Sequence, residues 1–210
     1  MKRTDNIHGT RNLFRTILIL ASAVTLIMAG SGMAQASEHA LISSGKYDQG
    51  FMGSTRLGAG NLAGKTVFMS GSQLQWIINH KVGIAITSES AGCGNQTDMT
   101  IGGKEYDVYY QLTGLEIEMF PDSDKMIHRS CGITVGGGLI ESENRVEFWR
   151  ESDMFFMIEP RTGIEMNVTK WMRVNGVFSW RFASGVNSEL FDNKDMSGWT
   201  AMMTMKFGWF

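Results

Sequence analysis

Several absences narrow this 210-residue chain before any pattern is read. It holds two cysteines, Cys93 and Cys131, in no recurring spacing, so a disulfide framework is not indicated. CxxC and HExxH are missing, and the four histidines do not cluster, so no metal or cofactor is expected. No run reaches about 18 consecutive apolar residues, which excludes a membrane-crossing helix. No basic patch large enough for nucleic acid is present either.

What is there begins with a leader. Lys2, Arg3, Arg11 and Arg15 precede the apolar stretch TILILASAVTLIMAG (16–30), and AQA (34–36) offers the small-x-small pattern of a cleavage site. The expected organisation is a signal peptide over 1–36, an N-terminal periplasmic segment over 37–47 and one domain over 48–210. Loss of four basic residues and Asp5 with the leader moves the formal charge from −2 to −5.

After residue 50 the hydrophobic pattern has a period of two. In WMRVNGVFSWRF (171–182), Met172, Val174, Phe178, Trp180 and Phe182 share one parity, and Arg173, Asn175, Ser179 and Arg181 the other. In MIEPRTGIEMNV (157–168), Ile158, Ile164, Met166 and Val168 oppose Glu159, Arg161 and Glu165. Leu115, Ile117 and Met119 oppose Glu116 and Glu118; Ile127, Cys131, Ile133 and Val135 oppose His128, Ser130 and Thr134. The runs predict eight strands, near 48–58, 65–78, 82–90, 106–120, 126–138, 153–168, 171–185 and 197–210. Connections near 79–81, 121–125 and 168–170 are tight, whereas 89–105, 139–152 and 186–196 are long. Turns centred on His80, Ser123 and Thr169 would pair Ile78 with Val82, Glu118 with His128 and Glu165 with Arg173, each matching like with like.

Both parities carry too much for a soluble sheet. The apolar one is rich in Met, Phe, Trp and Ile, and the polar one mixes both charge signs. A soluble eight-stranded carrier would need the reverse at Glu159, Arg161, Glu165 and Arg173. An all-β, eight-stranded antiparallel up-and-down transmembrane β-barrel resolves the conflict: the apolar parity meets lipid, the polar parity fills the lumen, and closure pairs the backbone. Eight strands leave room only for side chains. Glu116, Glu118, His128, Glu159, Arg161, Glu165, Arg173, Arg181 and Lys206 are the expected lumen network of ion pairs and hydrogen bonds, with a structural role. An aromatic girdle is expected from Trp76, Trp171, Trp180, Trp199 and Trp209, joined by Phe120, Tyr106, Trp149 and Phe156. Pro160 within a strand and Gly208 near the end suggest bulges. Arg129 falls on the lipid parity near a turn, and Cys131 and Cys93 are expected as free thiols, too far apart to pair.

The leader, the alternating strands, the short turns on one side and long loops on the other, and the aromatic terminus KFGWF resemble the small outer-membrane β-barrels of Gram-negative bacteria, a group that includes outer-membrane protein X and the OmpA barrel domain. The resemblance covers nearly all of 48–210 as a pattern. It implies an integral outer-membrane location, contact with outer-membrane lipid and lipopolysaccharide, and assembly by the barrel-assembly machinery through the terminal aromatic residues. A monomer is expected.

The leading functional expectation is a non-catalytic barrel whose outer loops serve interaction or envelope structure, with ESENRVEFWRESD (141–153) the most distinctive loop. The alternative is a narrow channel or transporter for small or apolar ligands, with Gly136, Gly137 and Gly138 and GAGNLAG thinning its wall. A lipid-A-modifying enzyme ranks lowest. His39 lies in the N-terminal segment, and His80 and His128 lie at the tight-turn end, away from outer-leaflet chemistry.

Overall fold

The computed structural model describes residues 48–92, 96–101, 103–144 and 149–209. The expected leader and the 37–47 segment, together with Cys93 and Phe210, lie outside the described residues. Among the described residues the elements are β1 (Gln49–Leu62), β2 (Lys65–Ile78), β3 (Val82–Ala91), β4 (Gln96–Ile101), β5 (Lys104–Met119), β6 (Ile127–Asn144), β7 (Trp149–Asn167), β8 (Met172–Ser184), a short helix α1 (Asn193–Met196) and β9 (Gly198–Trp209).

All pairings are antiparallel, in the order β3-β2-β1-β9-β8-β7-β6-β5-β4, and β3 also pairs with β5. That last pairing closes the sheet. β3 meets β5 from Ser90 opposite Gln111 downward, and β4 meets it from Gln96 opposite Tyr109 upward. The two segments therefore lie one above the other along the same edge of β5, and the barrel has eight staves. The sequence reading left β4 inside a long connection, because Gly-rich residues mask its short alternation.

Stepping through paired partners from Gly137 leads by Thr113, Ser88, Ser72, Thr55, Met205, Val174 and Met166 back to β6 at Ile127. The path does not close on itself, so the strands are staggered and tilted as a closed barrel requires. At one end lie the connections around 79–81, 120–126 and 168–171, called here the lower end. The β1–β2 hairpin turns at the upper end on Ala63 and Gly64, with φ of 49° and 74°. Two consecutive positive φ values give the hairpin turn whose twist matches the flanking strands.

Side-chain direction follows the expected parity on every long strand. On β8, Arg173, Asn175, Ser179 and Arg181 are buried while Phe178, Trp180 and Phe182 are exposed. Four expectations need correction. Ile78 does face Val82, but Glu165 faces Asn175 and Glu118 faces Gly132. The lower connections after β5 and β7 are wider than tight turns; the parity survives because both registers move by an even step. Neither bulge forms: at Pro160 the β6 register runs straight through, with Ile133 opposite. The β8 ladder is only interrupted there, between Ile158–Phe182 and Arg161–Ser179. At Gly208 the register to β1 is likewise continuous. Phe120 and Tyr106 are buried inside the barrel rather than placed on its outer wall. Finally, most of the expected loop at 139–152 is strand, since β6 and β7 stay paired up to Asn144 and Trp149.

Candidate functional site: a charged lumen beneath an apolar cap

The inward side chains form three tiers. In the lowest, Lys206 on β9 lies 2.9 Å from Glu118 Oε2 and 2.6 Å from Glu165 Oε2. Since β9 and β5 are opposite staves, the Lys206–Glu118 pair spans the bore. Arg173 donates to Glu165 Oε1 at 2.9 Å, and His128 Nε2 is 3.2 Å from the same oxygen. Gln75 donates to Glu118 Oε2 at 2.9 Å, and Asn175 donates to Glu118 Oε1 at 3.2 Å and to Ser130 at 3.0 Å. Phe120 closes the floor: Lys206 Nζ is 4.7 Å and the Arg173 guanidinium carbon 6.0 Å from its ring centre. Cations over an aromatic face are stabilised by the ring quadrupole.

The middle tier is organised by two arginines. Arg161 on β7 donates to Glu116 and, at 3.1 Å each, to Glu89 and Glu159. Arg56 on β1 donates to Glu89 at 2.9 Å, to Thr87 at 3.0 Å and to both oxygens of Glu116 at 3.1 and 2.9 Å. Gln73, Thr134 and Ser179 supply further donors to these carboxylates. Buried carboxylates without such partners would be strongly unfavourable, so the cations and amides stabilise each other's burial. Arg56, Arg161, Arg173, Arg181 and Lys206 balance Glu89, Glu116, Glu118, Glu159 and Glu165, all of them buried.

The top tier departs from the expected polar lumen. Leu62, Val67, Met69, Val108, Tyr110, Leu112, Ile140, Phe155, Met157 and Met202 point inward and form one buried apolar cluster with Phe191 and Met196 of the β8–β9 connection. Gly138 makes room for it: a Cβ there would lie 2.1 Å from the Phe155 ring. Arg181 joins cap to lumen, donating from Nε to the Met196 carbonyl oxygen at 2.6 Å and from Nη2 to that of Asn61 at 2.9 Å. Its partners are thus carbonyls and the Tyr110 ring, where the sequence suggested a carboxylate.

The structure thus brings Glu116, Glu118, His128, Glu159, Arg161, Glu165, Arg173 and Lys206 together by ion pairs or hydrogen bonds, and sets Arg181 above them. Glu118 and His128 do not meet; His128 turns to Glu165 and the Lys125 carbonyl. Sequence reasoning missed Arg56 and Glu89. Arg56 shares parity with Ser54 in the weakest strand, and Glu89 sits where the third run fades into a connection; each was visible as a charge on the inward parity. Among the described residues no three His, Cys, Asp or Glu converge as a metal site. Cys131 points outward, unpaired. Trp76, Trp171, Trp180 and Trp209 are exposed on the outer wall and Trp199 is half-buried there. Met202 points in and Met203 out.

No family model matches the sequence, and no curated protein matches it. Solved structures do. Neisserial surface protein A aligns with a TM-score of 0.57 at 9% identity, covering 78% of this chain and 99% of its own. A major outer-membrane protein of Thermus thermophilus aligns with a TM-score of 0.53 at 8% identity, covering 77% and 100%. At such identity the likeness is one of fold: the chain has the architecture of the small outer-membrane β-barrels.

Proposed function

We propose that this protein is a non-catalytic integral barrel of the bacterial outer membrane, with a solid lumen and an upper rim devoted to interaction or envelope structure. One observation carries the reading, an exchange of polarity along single strands. On β5, Tyr106, Val108, Tyr110 and Leu112 point in while Glu105, Asp107, Tyr109, Gln111 and Thr113 point out. Below Gly114 the arrangement inverts: Glu116 and Glu118 point in, and Leu115, Ile117 and Met119 are more than half exposed, at 62%, 52% and 51%. A strand that is water-facing outside above and oil-facing outside below suits a wall leaving a membrane.

In this reading the leader over 1–36 directs export, and 37–47 remains on the periplasmic side. The tryptophans of the outer wall sit at the interfaces, lipid and lipopolysaccharide surround the belt, and the folded monomer is inserted by the assembly machinery. The acidic hairpin of β6 and β7 and the β4–β5 hairpin face outward from the cell. A channel is disfavoured by the cross-lumen pairs of Lys206, Arg56 and Arg161 and by the apolar cap. Stepwise conductance in a planar bilayer would overturn the solid-lumen reading. An enzyme is disfavoured because His128, the lumen histidine, is engaged by Glu165 and a backbone carbonyl at the lower end.

The decisive experiment is fractionation followed by gel mobility with and without boiling. A heat-dependent shift of protein from the outer-membrane fraction is expected. Recovery from the soluble periplasm without a shift would sink the membrane reading.

A further inference from the structure

The outer wall is not uniform around the barrel. On β7 the outward positions from Met154 to Val168 are almost wholly apolar, and on β9 those from Trp199 to Trp209 are entirely so. On β3 the apolar outward positions end at Ile86, and Ser88 and Ser90 follow. On β5 they end at Leu115, with Thr113 and Gln111 above; on β2 they pause after Leu74 at Ser72 and Ser70 and resume at Phe68, which is 49% exposed. Thr55 on β1 extends the row, paired across to Ser72, which pairs with Ser88, which pairs with Thr113, although on β1 the apolar outward positions continue above it at Leu57 and Ala59. With a rise of ~3.3 Å per residue and a tilt of ~40°, the apolar belt is about 10 Å tall on β3 and about 35 Å on β7.

A usual belt is about 25 Å tall. Tilting the barrel cannot reconcile the two walls, because the lower ends of all staves lie together and only the upper boundary differs. The belt is notched at β3 and β5. The hydroxyls and the Gln111 amide therefore fall at the height of acyl chains, where polar groups are disfavoured. Ser70 and Ser90 meet at 3.2 Å, and the buried Ser90 also donates to the Ser70 carbonyl oxygen at 3.5 Å, so this pair is bonded internally while Ser88 and Thr113 stay on the outer face.

Resting on the membrane reading above, we infer that the β3–β5 wall thins the outer half of the bilayer, so that lipid head groups and water descend to Ser88 and Thr113. A short apolar wall is met by local thinning at modest cost. The shortening is confined to β3 and β5: their neighbours carry apolar outward side chains higher up, Phe68 on β2 and Leu139 on β6.

The test uses single-cysteine variants of the full mature chain, in a Cys93→Ser, Cys131→Ser background, refolded into phosphatidylcholine vesicles. Ser88→Cys and Thr113→Cys report the short wall; Phe178→Cys and Met203→Cys report the tall one. All four lie the same number of residues from the lower ends of their strands, Val82, Met119, Met172 and Trp209. A membrane-impermeant maleimide should label the first pair about tenfold or more faster than the second. Equal protection of all four would overturn the thinning, as would a disulfide between copies at Ser88→Cys, which would mean a second barrel covers the wall. Rapid labelling of all four would instead overturn the membrane reading itself.

Discussion

The Arg181 guanidinium lies 5.1 Å from the centre of the Tyr110 ring, at the level where the charged lumen meets the apolar cap. Its hydrogen bonds to the Met196 and Asn61 carbonyls tie the β8–β9 connection and the β1–β2 hairpin to the barrel interior. Lysine would keep the charge but lose the fork that reaches both carbonyls and the flat face over the ring. Arg181→Lys is expected to cost roughly 1.5–3 kcal/mol. The loss should appear first as faster proteolysis within residues 185–192, with the heat-dependent gel shift retained. Unchanged proteolysis would mean that the connection is held by Phe191 and Met196 alone.

Arg161 serves three carboxylates, Glu89, Glu116 and Glu159. Replacing it with methionine keeps the volume and removes the compensating charge, leaving Arg56 alone in the middle tier against three negative groups. Arg161→Met should destabilise the barrel by about 3–5 kcal/mol, the range for breaking a buried pair from one side. Urea titration of the refolded protein by tryptophan fluorescence checks this. Adding Glu116→Gln to the same chain should recover part of the loss; a double variant no better than the single would separate the two residues energetically.

The sequence disclosed the staves more readily than the tiers inside them. Parity was readable on β7 and β8 because aromatic and charged residues alternate there without interruption, and parity alone sends Arg173 inward and Trp180 outward. Register was less readable: Glu165 and Arg173 do meet, but diagonally, since the chain needs wider connections after β7 than parity can reveal. The cap was hidden by a change of phase. Tyr106 to Leu112 alternate on the even positions and Leu115 to Met119 on the odd ones, and the slip at Thr113–Gly114 marks where the outer face changes from polar to apolar. A phase slip looks like noise in a short window. Arg56 and Glu89 were missed for a related reason: β1 is Gly-rich, and the end of β3 runs into a segment without strand pattern. The lumen's charge balance can be recognised only when distant strands are brought side by side.

Pro160 lies on the outward face, where the β7–β8 ladder is interrupted. Having no N–H, it cannot donate to the ladder. The outward position has room for a branched side chain beside Ile158 and Ile164. Pro160→Val is therefore expected to close the gap and stabilise the barrel by about 0.5–1.5 kcal/mol, the net worth of one hydrogen bond. A higher urea midpoint at unchanged slope is the readout. A lower midpoint would mean that the constrained backbone at Pro160 contributes more than the missing bond.

Gly138 and Phe155 test whether the cap is a packed core or a loose plug. The two residues face each other across β6 and β7, and a Cβ on Gly138 would meet ring atoms of Phe155 at 2.1 to 2.6 Å. Gly138→Ala should cost about 1–3 kcal/mol through overpacking. Phe155→Leu alone should cost something too, by leaving a void beside Tyr110, whose ring centre is 6.2 Å from that of Phe155. Combined, the added methyl enters the space the ring vacates, so the double variant should be more stable than the sum of the single losses predicts. A coupling of about 0.5–3 kcal/mol is the range for residues in contact. Strict additivity would mean the ring already moves freely in a wet, open mouth. In that case the apolar cap could not seal the lumen, and the narrow-channel alternative would regain its footing.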